Sequence, residues 1–117
     1  TARIRPNVDL VSGIEQICAD NDIRHAQIRG CVGSVMDAVL AIGGDGENAR
    51  EQVVPGPGLE IALTTGEVRP DADGNPRARL FGLAANWDSD AFAGEFVRDK
   101  NLTFVTLELV LQEWLPE

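Results

Sequence analysis

From residue 24 to residue 114 the apolar side chains recur with a period of two, and only the stretch before them follows a helical period. A chain patterned this way must fold as a sheet with one helical cover. Leu10, Val11, Ile14, Ile17 and Cys18, spaced by three and four, predict a helix from Leu10 whose apolar stripe faces a core. Asn7 or Asp9 can cap its start. Asp20-Asn21-Asp22 ends it, with Asn21 suited to the left-handed conformation. Gly13 inside that helix costs about 1 kcal/mol relative to alanine.

Residues 2–6 alternate up to Pro6 and predict a short strand before the helix. After it, strands are predicted over 24–32 and 35–42, joined at Gly33-Ser34, with Gly43-Gly44-Asp45-Gly46 as a loop. A short strand over 51–54 precedes Pro55-Gly56-Pro57-Gly58. Further strands are predicted over 59–68, 78–87, 91–97 and 102–114, with turns at Asp73-Gly74-Asn75-Pro76, Asp88-Ser89-Asp90 and Asp99-Lys100-Asn101. One helix followed by seven or eight antiparallel strands is an α+β layout, the helix lying on one sheet face. In the last strand Thr103, Val105, Leu107, Leu109 and Leu111 share a face, yet Phe104, Val110 and Trp114 are apolar on the other. The helix is too small to cover both faces, so the second is expected to be covered by self-association.

The 117 residues suffice for one domain, spanning 1–117, with a core that needs neither disulfides nor metal. With 44% hydrophobic and 25% charged residues the composition excludes a disordered chain. No apolar run is long enough to span a bilayer and no signal-peptide pattern opens the sequence, so the expected setting is cytoplasmic and away from membranes. Cys18 and Cys31 are then expected to be reduced, buried fillers. The absence of an initiator Met fits either processing or excision from a longer or tandem protein. The net charge of -9 opposes a phosphate backbone, and nine arginines with the single Lys100 are scattered along the chain without a basic cluster.

Several residue sets carry potential chemistry. Asp37, Glu60 and Glu108 interrupt otherwise apolar strands, and buried carboxylates need partners. They are expected to form a structural polar network with arginines such as Arg29 and Arg79, within the chain or across an interface; the alternative is a pocket with a carboxylate as general acid or base. His25, the only histidine, is expected to share a strand face with Gln27, Arg29 and Cys31. Such a strip either binds a small anionic ligand through the planar fork of Arg29 or is an ordinary solvated face. Ser34 lacks a neighbouring base and is read as a turn residue rather than a nucleophile. Asp71-Ala72-Asp73-Gly74 has its glycine too early, and Gly82 at the twelfth position, for a calcium loop; it is read as a hairpin turn.

The order of these elements, with Arg29-Gly30-Cys31-Val32-Gly33-Ser34 leading into Asp37-Ala38-Val39-Leu40, then Gly58-Leu59-Glu60-Ile61-Ala62-Leu63-Thr64-Thr65-Gly66, Ala93-Gly94-Glu95-Phe96 and Thr106-Leu107-Glu108-Leu109-Val110-Leu111, resembles the PPC domain, the plants and prokaryotes conserved family. That resemblance implies an α+β domain assembled as a homotrimer. Plant members carry a separate AT-hook for DNA, and no such Arg-Gly-Arg-Pro segment occurs here. Relatives with a metal place a His-x-His on one strand and a third histidine on the next; Arg79, Phe81 and Glu95 stand at the corresponding positions. No metal or other cofactor is therefore expected, and an Arg79–Glu95 ion pair is expected in its place. The functional expectation is a homotrimeric binding module without assigned chemistry, with a DNA-binding protein and an enzyme for a small acidic metabolite at the subunit interface as alternatives. His25, Arg29, Arg79 and Glu95 are its ligand-binding candidates.

Overall fold

The computed structural model describes residues 1–43 and 50–115. The elements run β1 (Ala2–Ile4), α1 (Leu10–Asp20), β2 (Ala26–Val35), β3 (Ala38–Ile42), β4 (Arg50–Val54), β5 (Leu59–Pro70), β6 (Pro76–Ala85), β7 (Ala91–Phe96) and β8 (Thr103–Glu113). All eight strands join one antiparallel sheet in the order β1-β8-β2-β5-β6-β7-β3-β4. Gly44, Asp45 and Gly46 of the expected loop lie outside the described residues.

The helix begins where Asp9 accepts the Ser12 backbone N–H at 2.9 Å, so Asp9 rather than Asn7 is the cap. At the other end the left-handed residue is Asp22 (φ 55°), not Asn21 (φ -108°), because the Asn21 amide turns back to donate to the Ile17 carbonyl. Gly13 faces Ile4 and Val8 so closely that a Cβ would sit 3.2 Å from both, which gives the helix-weakening glycine a packing role. Leu10, Val11, Ile14 and Cys18 meet Ile28, Leu80, Leu107 and Leu109 from the sheet to form the core.

The sheet is curled. Met36 and Asp37 alone link β2 to β3, yet three strands separate those two in the sheet. A flat sheet would hold them about 19 Å apart, whereas three residues reach at most about 11 Å. Curling gives an inner face wrapped on α1 and an outer face with no cover.

Gly33 is not a turn residue as its composition suggested. Strand β2 runs through it, and it pairs with Leu107 of β8 and Ile61 of β5. At φ 150° its missing Cβ leaves room for the Thr106 carbonyl of β8. Both cysteines are free and buried, and burial pushes the Cys31 thiol up to about 11. Neither is expected to react with a thiol reagent at neutral pH until the protein unfolds; rapid modification of native protein would contradict this packing.

The β5–β6 hairpin is organised by Asp71, whose carboxylate accepts the backbone N–H groups of Asp73 and Asn75 and the Arg77 guanidinium. The Asn75 backbone bond is the largest cause holding the Asp71 carboxyl below the usual range. A lowered folded pKa means that this stabilisation is complete above the unfolded value and disappears as pH falls through the folded one. A carbon-detected NMR titration is expected to place Asp71 below the other exposed aspartates, and loss of that difference in Arg77→Ala would be partial only.

Candidate functional site

Three register shifts decide which side chains reach the outer face. Between Ile28 and Gly30 two steps of β2 oppose one step of β8, so Arg29 faces outward while Cys31 turns into the core. Cys31 therefore does not share a face with His25, Gln27 and Arg29, correcting the simple alternation. On β5 an extra residue between Ala62 and Thr65 puts Leu63 at φ 52° and leaves it 82% exposed, although it alternates with the buried Leu59 and Ile61. The third shift, between Gly33 and Val35 against Leu107 and Thr103, turns Phe104 and Val105 both outward.

One end of the outer face is rich in arginine. Gln27 pairs with Glu67 and Glu67 with Arg79 in one cross-strand row. Beside it Thr65 pairs with Phe81 and Phe81 with Glu95, while Arg69 pairs with Arg77 on the other side. Arg29 of β2 is thus brought onto the same face as Arg69, Arg77 and Arg79 of the β5–β6 hairpin. Arg79 forks onto Glu95 with bonds of 2.8 and 3.0 Å and lies over the Phe81 ring, 5.1 Å from its centroid. The Glu95 hydrogen bond raises the already high pKa of Arg79. Arg69 pairs with Glu67 and Arg77 with Asp71. Arg29 is different: it donates only to the Gln27 side chain, at 3.4 Å, and forms no ion pair among the described residues.

Two shallow depressions flank Trp114. One, of about 300 Å³, is lined by Gln27, Thr65, Glu67, Arg79, Phe81 and Trp114. The other, of about 630 Å³, holds His25 with Arg24, Pro70, Glu113 and Trp114. The structure thus brings Arg79 and Glu95 together, sets Arg29 near them and places His25 across Trp114. Sequence reading treated Trp114 only as surface on the last strand; the Trp114 N–H donates to the His25 carbonyl, and that long-range bond carries no local signal.

Within one chain Asp37, Glu60 and Glu108 form no buried network with Arg29 or Arg79. All three are exposed in the single chain: Glu108 pairs with Arg3, Asp37 accepts the Gly56 N–H, and Glu60 stands on the outer face beside Ser34. The buried polar node lies elsewhere. Asn101 is fully buried; its side chain accepts the Val39 N–H and donates to the Val39 and Val97 carbonyls, while its own N–H donates to Asp9.

A single-helix α+β domain with a curled sheet and one uncovered face is the class that this architecture defines. The model of the Plants and Prokaryotes Conserved (PCC) domain matches residues 1–115, and the chain belongs to that family. No curated protein matches it. Among solved structures it resembles a PPC protein of Pyrococcus horikoshii with a TM-score of 0.85 and 20% identity, over 99% of this chain and 78% of that one. A Bacteroides thetaiotaomicron protein whose name proposes DNA binding is similar at a TM-score of 0.81 and 16% identity, covering 96% and 76% of the two chains. A metal-containing protein of Archaeoglobus fulgidus gives 0.76 and 23%, covering 98% and 80%.

The residues here do not fit a metal at the Arg79, Phe81 and Glu95 positions. The guanidinium occupies both oxygens of Glu95, and no group of three His, Cys, Asp or Glu side chains among the described residues has ligating geometry. Elemental analysis of purified protein is expected to find far less than one transition-metal ion per chain, and about one zinc per chain would overturn this reading.

Proposed function

We propose that the chain is a homotrimeric binding module, with no reaction assigned to it, that associates through the outer sheet face and recognises anionic groups at the arginine end of that face. One observation carries the proposal: the middle of the outer face is apolar and open in the single chain. Leu63 and Val32 are 82% and 71% exposed, and Ala62, Leu83 and Ala93 continue the strip across β5, β6 and β7. A leucine held at positive φ with its side chain in water is costly by roughly 1 kcal/mol or more and gains nothing within one chain. The cytoplasm is the proposed setting, in keeping with two free thiols. No helix among the described residues is long and apolar enough to cross a membrane. Sedimentation equilibrium is expected to give three times the chain mass, and Leu63→Asp is expected to shift the protein to monomer while preserving its circular dichroism. A monomeric parent protein would overturn the proposal.

A second reading is DNA binding, favoured by the names of the Bacteroides thetaiotaomicron and Ralstonia eutropha neighbours. The net charge of -9 and the pairing of three of the four outer arginines weigh against it. A retarded duplex that survives physiological salt would favour this second reading.

A further inference from the structure

The outer face is electrically polarised along its strands. At one end stand Arg29, Arg69, Arg77 and Arg79 with Glu67, Asp71 and Glu95 among them. About 13 Å away, four residues along β6 from Phe81, the row of Ser34, Glu60, Ala85 and Ala91 begins the opposite end. Glu60 lies there with Asp37 of the β2–β3 turn and with Asp88 and Asp90 of the β6–β7 turn. None of those four carboxylates forms an ion pair among the described residues, and at the other end Arg29 forms none either. Between the two ends lies the apolar strip.

We infer that the anionic group met by Arg29 is the Glu60 carboxylate of a neighbouring copy of this chain. The inference rests on the self-association proposed above and adds its orientation. In a closed ring of three, each interface joins two different patches, so every chain offers its arginine end to one neighbour and its acidic end to the other. The polarity of the face supplies those two patches on one continuous surface, with apolar contacts between them. Complementary charges set the register of such an interface, and parallel stacking of like ends is disfavoured by repulsion. The same pairing accounts for unpaired charge of both signs on one face of a domain whose remaining arginines largely find carboxylates.

The test is a charge swap followed by sedimentation at low and high salt. Arg29→Glu and Glu60→Arg are each expected to weaken association at least tenfold in low salt, and the double variant to recover to within about threefold of the parent. Raising the salt is expected to narrow these differences, since exposed pairs are screened. Trimers indifferent to either reversal, or a double variant weaker than both singles, would overturn the inference while leaving the self-association intact. A parent chain that sediments as a monomer would instead remove the self-association reading itself. As a check independent of affinity, one chain carrying Arg29→Cys and Glu60→Cys is expected to oxidise to a ladder ending at three chains, and each single cysteine variant to give none. Absence of the ladder in a protein that sediments as trimer would also overturn the pairing.

Discussion

Asn101→Ala is expected to lower stability by about 2–3 kcal/mol. It leaves the Val39 N–H without its partner, while the Val39 and Val97 carbonyls each lose one of two donors and keep the Val97 and Lys100 backbone N–H groups; a stranded buried group costs about 1–3 kcal/mol, and the emptied volume adds to it. Against the 5–15 kcal/mol available to a domain of this size that is a large share. Asn101→Leu separates polarity from volume: it fills the space and still strands the Val39 N–H, so a loss of about 1–3 kcal/mol is still expected. Urea denaturation at one protein concentration measures both. A leucine variant as stable as the parent would mean that the side chain acts by filling space. The node matters because it ties three elements at one point: Asp9 caps α1, Asn101 leads into β8, and Val39 lies in β3.

The second large effect is expected at Gly33. A Cβ there would lie 2.1 Å from the Thr106 carbonyl oxygen, on the backbone of a strand that cannot withdraw without breaking its own pairing. Gly33→Ala is expected to cost about 3 kcal/mol through overpacking and an unfavourable φ. Gly30, three residues earlier in β2, would place its Cβ in open space, so Gly30→Ala is expected to stay within about 0.5 kcal/mol of the parent. Equal costs at the two positions would contradict the close approach of β2 and β8.

Much of this architecture is legible in the sequence because one helix and a long period-two region leave few alternatives. The helix, the hairpin turn at Asp71 and the two-sided apolarity of β8 all follow from residue type and spacing. Side-chain direction beyond a bulge does not. An inserted residue reverses the alternation after it, and this moved Cys31 inward and Leu63 outward with no change in composition to mark it. Asn101 was legible as part of a turn, and Asp99 at φ 68° does make that turn; its burial is set by the return of α1 and β3 from elsewhere in the chain.

The candidate site was legible in part for the same reason. The Arg79–Glu95 pair follows from neighbouring strands, and it forms. The gathering of Arg29, Arg69, Arg77 and Arg79 needs the pairing of three strands, which a scan of charge along the chain cannot supply. Asp37, Glu60 and Glu108 were assigned partners on the assumption of burial. Within one chain all three are exposed, so burial alone does not require those partners.

Strand β2 lies between β5 and β8, and its pairing of Ala26 with Glu113 joins residues far apart in sequence. During synthesis at about 5–20 residues per second, roughly 3–14 seconds separate the appearance of residue 35 from that of residue 103. For that interval one edge of the central strand has no native partner, and Ala26, Ile28, Cys31 and Val35 have only half of their enclosing sheet. Until the last strand arrives, that edge is a template on which another polypeptide can pair.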